Sequence, residues 1–185
     1  MTDISSTTPA VQEAHVPQTD ALLERMKTLL PGATAVKRRD RRYEVDTTPE
    51  QLLTVLETLK SSDLGFGFVC TIVGFDDGTQ LGTKYILGDK ALVCSVTVRV
   101  PNDNPVLPTS TGIFPASVLY EREVHDVVGI RFTGHPNLSR LILADDWPEA
   151  VYPLRKDYQF FKDEAGIPVK GCLLVDTANK IQIKK

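Results

Sequence analysis

Residues 67–100, GFVCTIVGFDDGTQLGTKYILGDKALVCSVTVRV, decide the fold class of this chain. They contain three β-type runs, Gly67 to Phe75, Leu81 to Leu87 and Ala91 to Val100. The sequences between the runs, DDG and GDK, are short turn sequences. Strands that are joined by such short turns pair as antiparallel neighbours. The region therefore predicts a mostly antiparallel sheet.

Two amphipathic helices are predicted upstream of this sheet. Thr19 or Asp20 can cap the first helix, and Pro31-Gly32 ends it. In the second helix, Thr48 is the predicted cap and Pro49 takes the first helical position. The predicted buried positions, which keep helical spacing, are Leu22, Leu23, Met26, Leu29 and Leu30 in the first helix and Leu52, Leu53, Leu56 and Leu59 in the second.

Residues 33–46, which lie between the two helices, are charged and strand-like, with the run KRRDRR at 37–42. Because Lys and Arg commonly protect sheet edges, we interpret this run as a solvated edge strand or hairpin tip. Contact with a phosphate or an acidic lipid headgroup is the alternative. Residues 101–108 carry three prolines and are predicted to cross in an extended form from the sheet to a third helix.

These elements predict an α+β fold, in which two to three helices lie on a mostly antiparallel sheet in two layers. We divide the chain into a mobile N-terminal tail (1–17), an α+β domain (18–115), a docking segment (116–158) and an extended C-terminal tail (159–185). The start of the chain lacks the basic and apolar parts of a signal peptide. No window approaches eighteen consecutive apolar residues, so we expect no direct membrane span.

Composition argues against several classes of function. A net charge of −3 and a pI near 5.6 argue against nucleic-acid binding, which favours a basic surface. The three Cys form no CxxC pair, so neither a zinc site nor an iron–sulfur cluster has its usual ligands. Cys70 and Cys94 are expected to be small core residues of a reduced protein. The nucleotide-binding and hydrolase motifs GxGxxG, GxxxxGK[ST] and GxSxG are absent.

The segment from Tyr120 to Tyr158 mixes charges of both signs with Val, Ile, Leu and Trp. In a free loop such apolar residues would be exposed to water, whereas in an interface they are buried against another protein. Ser117 is the predicted cap of a helix that runs to Val128 and ends at Gly129. The segment is therefore predicted to be a docking surface that begins with a helix.

Within this helix, Arg122 and Asp126 have the spacing of an ion pair, which contributes about 0.3–0.5 kcal/mol when exposed. Residues 130–132 are predicted to be extended, and 133–136 to form a turn. The helix stripe is formed by Tyr120, Val124, Val127 and Val128, and an apolar cluster is expected from Leu138, Leu141 and Ile142.

Two chemical interpretations of the segment are disfavoured. The residues with the types of metal ligands, whose spacing lacks the HExxH pattern, are Glu123, His125, Asp126 and His135. His135 with Asp145 and Ser139 would suit a nucleophilic triad, but no nucleophile elbow surrounds the serine.

The same segment carries a family resemblance. Residues 121–140 contain ERE, then Asp126, Gly129-Ile130, Gly134-His135-Pro136, Leu138 and Arg140. This pattern resembles the signature of the family of the C subunit of respiratory complex I (NADH:quinone oxidoreductase), also called the thirty-kilodalton subunit. The sequences DDW at 145–147 and PLRKDY at 153–158 resemble the second half of that signature. The resemblance extends over about residues 18 to 160.

Some positions depart from the usual pattern of the quinone-reducing members. His125 stands where an aromatic residue is usual, Val127-Val128 where a bulky pair is usual, and Ser139 where a second Arg is common. The sequence WPEAVY at 147–152 is more similar to the equivalent subunit of energy-converting, membrane-bound nickel–iron hydrogenases.

The resemblance implies a non-catalytic peripheral-arm subunit without a cofactor of its own. Iron–sulfur clusters, and NADH or a nickel–iron centre, are expected in partner subunits. It implies docking to the large subunit, of the forty-nine-kilodalton or hydrogenase-like type, and to neighbouring iron–sulfur subunits, on the cytoplasmic side of the cell membrane. A free-standing enzyme and a free-standing binding module are the more remote alternatives. The implied partner-binding residues are Glu121, Arg122, Glu123, Asp126, Gly134, His135, Pro136, Arg140, Asp145, Asp146, Trp147, Pro153, Leu154, Arg155, Lys156, Asp157 and Tyr158.

Overall fold

The computed structural model describes the backbone of residues 18–61, 64–89, 91–158, 173–175 and 181–183, with side chains for 21–61, 64–89 and 91–158. The helices and strands in chain order are α1 Gln18–Leu29, β1 Thr34–Arg39, β2 Arg42–Thr47, α2 Leu52–Ser61, β3 Phe68–Asp76, β4 Gln80–Gly88, β5 Val93–Pro101, β6 Val106–Pro108, α3 Ser117–Val128, β7 Arg131–Thr133, β8 Leu173–Val175 and β9 Ile181–Ile183.

Five strands form the main sheet in the order β1-β2-β5-β4-β3. Neighbours in this sheet are antiparallel except β2 and β5, which are parallel. The parallel pair follows from the chain path, because α2, β3 and β4 intervene between those two strands. The predicted antiparallel pairing of the three central runs is confirmed, and so is the α+β fold class.

The core lies on one face of this sheet. Val45, Val96 and Tyr85 are cross-strand neighbours on that face and are fully buried. Leu56 of α2 is also fully buried, and Val124 of α3 is 1% exposed; both belong to the same apolar cluster. Burying so much apolar surface between helices and a sheet is the main stabilising contribution in such a fold. The structure therefore has the two layers that the sequence predicts.

The opposite face of the sheet is charged near β1 and β2. Glu44 forms ion pairs with Arg38 and with Lys84, the latter at 2.8 Å. Hydrogen bonds from Lys84 and Arg38 lower the pKa of the Glu44 carboxyl. Residues Asp40 and Arg41 form the turn of the β1–β2 hairpin, and β1 is an edge strand. The interpretation of the basic run as an edge strand and hairpin tip is confirmed.

Both upstream helices differ in detail from the predictions. The predicted caps Thr19 and Asp20 lie inside α1, which already includes Gln18, and Leu29 near its end is 41% exposed. The helix α2 begins at Leu52, because residues 48–51 form a turn in which the Gln51 N–H donates to the Thr48 carbonyl at 3.2 Å. Each helix therefore exists where its apolar spacing predicts it, but its start is displaced.

The two cysteines of the central sheet differ in exposure. Cys70 is exposed rather than in the core, because it is the extra residue of a β-bulge in β3. Cys94 is buried as predicted, and burial raises the pKa of its thiol to about 12.

The last part of the chain contains one described structural unit. The strands β8 and β9 pair as an antiparallel two-stranded sheet, with Leu174 opposite Gln182. The predicted extended path of residues 159–172 lies outside the described residues, as does the predicted tail 1–17. Within the described ranges, no helix has both the length and the apolar character to cross a membrane.

Candidate docking surface

Helix α3 is the element on which the docking segment is built. Its first residue is Ser117, whose hydroxyl is buried and finds no partner among the described residues, so the predicted Ser117 cap is wrong. Ala116 occupies the cap position and makes no side-chain hydrogen bond. The predicted end is confirmed: Gly129 has φ 85°, a left-handed conformation that glycine adopts without strain. Its N–H donates to the carbonyls of His125 and Val124.

The helix lies close against the edge strand β3. A Cβ atom on Gly74 would lie 2.8 Å from methyl carbons of both Val124 and Val128, so only glycine permits this approach. The Tyr120 hydroxyl donates to the Cys70 carbonyl at 3.0 Å, on the bulge of the same strand. These contacts fix the position of α3 on the sheet, and with it the position of the loops to which the side chains of α3 are bonded.

Glu121 holds the loop that precedes the helix. Its carboxylate is fully buried and accepts hydrogen bonds from the Ser110 N–H at 2.7 Å, the Ser110 hydroxyl at 2.6 Å and the Thr109 hydroxyl at 2.6 Å. A buried carboxylate without such donors would be strongly destabilising. Burial, with the negative charge of Glu121 nearby, raises the pKa of the Tyr85 phenol.

Asp126 holds the segment that returns along the helix. One of its oxygens, Oδ2, accepts the backbone N–H groups of Leu141, Ile142 and Leu143 at 3.1, 2.8 and 2.8 Å. Burial alone would raise the pKa of Asp126, but these three donors and the charge of Arg140 outweigh it and lower the pKa. The carboxylate is therefore ionised and acts as a fixed anchor for three consecutive amides.

The predicted ion pair between Arg122 and Asp126 does not form, and that prediction is wrong. Arg122 instead donates to the Ser139 carbonyl at 3.0 Å, the Ser139 hydroxyl at 2.9 Å and the Arg140 carbonyl at 2.8 Å. The main chain of the returning segment offers both residues better partners than they offer each other, because exposed intrahelical pairs contribute little. The anionic Asp126 thus binds amides, and the cationic Arg122 binds carbonyls, of one stretch of main chain.

Both histidines of the segment also bind main-chain groups. His125 Nδ1 lies 3.0 Å from the Ile130 carbonyl, and His135 Nε2 lies 3.1 Å from the Val118 carbonyl. A carbonyl only accepts, so each of these nitrogens is the protonated one. His135 Nδ1 accepts the Asn137 N–H at 3.1 Å, so both nitrogens of that ring are occupied.

The end of the segment is fastened to α3 and then to the sheet. Arg155 Nε donates to the Val128 carbonyl at 2.7 Å, and the guanidinium lies 4.4 Å from the centre of the Tyr152 ring. The Lys156 N–H donates to Asp76 at 2.9 Å, and the Lys156 ammonium donates to the Asp77 carbonyl at 2.7 Å. Residues 133–158 therefore wrap around α3 and finish at the β3–β4 turn.

The residues named by the signature fall into two groups. Those whose side chains bond inward to neighbouring groups of the chain are Glu121, Arg122, Asp126, His135, Arg140, Arg155 and Lys156. Those with exposed positions are Glu123, Gly134, Pro136, Asp145, Asp146, Leu154 and Asp157, while Trp147, Pro153 and Tyr158 are half-buried. The structure brings Trp147 and Tyr158 together, with 6.3 Å between ring centres.

Several large apolar side chains are exposed on the same part of the molecule. Leu119 on α3 is 56% exposed, Ile142 57% and Leu154 60%. Leu138 packs against the core, but Leu141 and Ile142 face outward, so the predicted apolar cluster of these three is wrong. Sequence reasoning missed Leu119, although an apolar residue outside the buried stripe of the helix is a readable signal.

A cavity of about 170 Å³ lies between α3 and the loop 138–152. His125 and Asp126 line it from the helix, and Arg140, Trp147 and Glu149 line it from the loop. The Trp147 indole N–H donates to the Val151 carbonyl at 2.8 Å, which folds the loop over the cavity. No motif in the sequence indicated this cavity, because the loop closes through main-chain bonds.

The alternative chemical groupings are not assembled in the described part of the chain. There, no three His, Cys, Asp or Glu side chains come together as a metal site would need. The Ser139 hydroxyl is bonded to Arg122, and the His135 ring is bonded to the Val118 carbonyl and the Asn137 N–H. Ser139 and His135, two of the three residues of the disfavoured triad, are therefore engaged with other groups.

The chain is similar to known proteins over most of its length. The family model described as respiratory-chain NADH dehydrogenase, 30 Kd subunit, matches residues 45–164. The beta subunit of the membrane-bound hydrogenase of Pyrococcus furiosus is 48% identical over 73 residues, which are 40% of this chain and 39% of that subunit. The NADH-quinone oxidoreductase C subunit of Roseiflexus sp. is 33% identical over 156 residues, covering 77% of this chain and 85% of that subunit.

Two further matches extend the comparison. The NADH-quinone oxidoreductase C/D subunit of Phocaeicola vulgatus is 42% identical over 123 residues, covering 63% of this chain but only 22% of that longer protein. A chain in the structure of the membrane-bound sulfane sulfur reductase, an archaeal respiratory membrane complex, has a TM-score of 0.70 at 27% identity. That match covers 77% of this chain and 86% of the other.

Proposed function

The chain belongs to the respiratory-chain NADH dehydrogenase 30 Kd subunit family, whose members are subunits of oxidoreductase complexes, and on this premise we propose that it is a non-catalytic peripheral subunit that docks the large subunit of such a complex. In this proposal the large subunit is of the quinone-binding type. The chain positions its partners for electron transfer toward the membrane part. The complex lies at the cytoplasmic face of the cell membrane.

One observation carries the proposal: the signature segment is held in place by its own side chains while its outer surface is left apolar and acidic. Asp126 and Arg122, which lie on α3, bind the main chain of residues 139–143. Leu141, Ile142 and Leu154 then project outward. A preorganised surface with apolar side chains among polar ones suits a protein partner, because little conformational entropy is lost on binding.

The identity of the partner is supported by the longer relative. The matched part of the Phocaeicola vulgatus protein is 22% of its length, and its name carries both a C and a D designation. In that protein a unit similar to this chain is covalently joined to a much longer remainder of the polypeptide. Covalent joining raises the effective concentration of two units that act together. We therefore propose the D-type large subunit as the direct partner, with iron–sulfur subunits beside it.

The redox cofactors belong, in this proposal, to the partners. The described side chains form no cluster of three metal-ligating groups, and the sequence has no CxxC pair. Iron–sulfur clusters, and NADH or a nickel–iron centre, would be held by neighbouring subunits. Elemental analysis tests this point: iron in stoichiometric amount in the purified single chain would contradict it, and iron only in the complex would support it.

A second candidate is the equivalent subunit of an energy-converting, membrane-bound nickel–iron hydrogenase. The observation that favours it is the 48% identity to the hydrogenase beta subunit, which is higher than the 33% identity to the Roseiflexus C subunit, although over fewer residues. The neighbouring reading frames distinguish the two. A large subunit that keeps two CxxC pairs has nickel ligands and supports the hydrogenase, whereas loss of those pairs supports quinone reduction.

The proposal is tested by co-expression of the chain with the large subunit from the same gene neighbourhood. The wild-type chain, carrying an affinity tag, is expected to retain the large subunit. Arg155→Ala is expected to reduce retention about tenfold or more, because the Arg155 bond to Val128 fixes the end of the docking segment. The isolated variant is expected to remain folded, since the half-buried Arg155 side chain contacts the core residue Val128 only at its main-chain carbonyl.

Arg131→Ala is the matched control, because Arg131 is an exposed arginine of the neighbouring strand β7. Circular dichroism of both variants verifies the fold. Equal retention of the large subunit by wild type and Arg155→Ala would contradict the role given to Arg155. Absence of retention by the wild-type chain would contradict the proposed function itself.

A further inference from the structure

We propose that the cavity between α3 and the loop 138–152 is a socket for one arginine side chain of the partner subunit. The inference rests on the proposed docking function and adds to it a specific contact and its chemistry. The cavity, of about 170 Å³, has room for a single long side chain. Its walls combine hydrogen-bond acceptors with aromatic and aliphatic surface.

Three residues that line this cavity each carry an acceptor atom to which no group of the described part of the chain donates. Asp126 uses Oδ2 for three amides, which leaves Oδ1 without a described donor. His125 donates through Nδ1 to the Ile130 carbonyl, so the neutral ring has its acceptor at Nε2. Glu149 has no Lys, Arg or His within ion-pair distance among the described residues. A ligand that carries several donors in one group can bond to all three of them.

The charge of the lining also favours a cation. Arg140 is the one Lys or Arg of the lining, and its charge lies beside Asp126, whose pKa it helps to lower. One of its nitrogens, Nη1, already donates to the Ala144 carbonyl at 3.1 Å. With Arg140 and Asp126 offsetting each other, the carboxylate of Glu149 is the unbalanced charge. The cavity is therefore complementary to one positive group.

Arginine fits this lining better than lysine. A guanidinium presents five donors in one plane, which can reach three separate acceptors, and its flat face stacks on aromatic rings. Trp147 contributes an aromatic side chain to the lining, and Leu138 and Leu143 contribute apolar surface for an aliphatic stem. A lysine ammonium is a compact and strongly hydrated charge, so it would contact fewer of the acceptors and less of the aromatic surface of this cavity. Aromatic and arginine contacts of this kind dominate many interfaces.

The single tryptophan of the chain makes the test specific, because Trp147 lines the cavity and is the sole source of indole fluorescence. The full chain is titrated at constant ionic strength with N-acetyl-arginine methylamide and, separately, with N-acetyl-glutamate methylamide. We expect a saturable fluorescence change with the arginine probe alone. A response to the glutamate probe that equals or exceeds it, or no saturable response to either probe, would overturn the inference.

Two charge-matched variants sharpen the titration. Glu149→Gln removes the unbalanced carboxylate of the cavity and is expected to weaken arginine-probe binding about tenfold, as loss of one charged hydrogen bond does. Asp103→Asn removes the same charge from an exposed loop outside the lining, and its affinity for the probe is expected to equal that of the wild type. If both variants bound the arginine probe equally weakly, the binding would reflect only the net charge of the chain, and the socket would be contradicted.

Co-purification separates this inference from the proposed function. Retention of the large subunit by the wild type, with about tenfold lower retention by Glu149→Gln, supports both. Retention that is unchanged in Glu149→Gln contradicts the socket and leaves the docking function in place. Failure of the wild type to retain the large subunit contradicts the docking function, and the socket for a partner arginine falls with it.

Discussion

Replacement of Asp126 by Asn is the sharpest test of how the docking segment is held. Asn keeps the shape of the side chain and one accepting oxygen, but it removes the negative charge. Hydrogen bonds to a charged acceptor are worth about 1.5–3 kcal/mol, against about 0.5–1.5 kcal/mol for neutral ones. Three amides converge on one oxygen here, so the gross loss is about 3 kcal/mol. Relief from burying a charge offsets part of it, which leaves about 2 kcal/mol.

Amide hydrogen exchange measures this loss where it occurs. We expect the N–H groups of residues 141–143 to exchange about 30-fold faster in the variant, since about 1.4 kcal/mol corresponds to a factor of ten. Glu123→Gln is the control, because Glu123 is an exposed acid on the same helix and the substitution makes the same change in charge. Unchanged exchange in Asp126→Asn, or equal acceleration in the control, would refute the role of the three bonds.

The same experiment has a predicted dependence on pH. The pKa of Asp126 in the folded chain is lowered below its ordinary value of 3.8. A carboxylate with a depressed pKa contributes its full stabilisation above the unfolded value and loses it as the pH falls through the folded value. The difference between wild type and variant should therefore be constant above about pH 5 and shrink below pH 3.8. A difference that grows on acidification would contradict this sign.

Three further outcomes are expected. Gly74→Ala should lower the melting temperature by about 2–12 °C, because its methyl group meets α3 at 2.8 Å and overpacking costs about 1–3 kcal/mol. The control Gly112→Ala, whose methyl group would meet no atom within 4 Å, should cause no such loss. Iodoacetamide labelling followed by peptide mass spectrometry should modify Cys70 in the folded chain and Cys94 only after unfolding, and rapid labelling of Cys94 in the fold would contradict its burial. Glu121→Gln should lower the free energy of unfolding in urea by about 1–3 kcal/mol, because an amide group replaces one of two buried carboxylate oxygens that both accept hydrogen bonds. An unchanged urea concentration at the unfolding midpoint would contradict this role of Glu121.

Much of the fold was readable because side-chain periodicity reports burial directly. The alternation of Val96, Val98 and Val100 identified β5, and the leucine spacing identified α2. The start of α2 was misplaced because Thr48 and Pro49 suit a turn as well as a helix cap. The bulge at Cys70 was not predictable, since it depends on the register between two strands rather than on either strand alone.

For the candidate docking surface, the sequence named residues but did not predict their contacts. The signature identified Arg122, Asp126 and Arg155, and sequence spacing then paired Arg122 with Asp126. The structure directs all three to main-chain groups instead. Every residue has a main-chain carbonyl and nearly every one an amide N–H, so a partner of this kind leaves no trace in the sequence. The cavity was not predicted either, because the loop beside it is also held through main-chain carbonyls and amides.

The use of main-chain partners has a consequence for evolution. Because Asp126 and Arg122 hold amides and carbonyls of residues 139–143, replacement of the side chains there leaves those bonds intact. The outward residues Leu141 and Ile142 are thus free to diverge while the path of the loop is inherited unchanged. In the proposed docking role, a change of partner would then require only new surface side chains, because the main-chain bonds that hold the loop would remain in place.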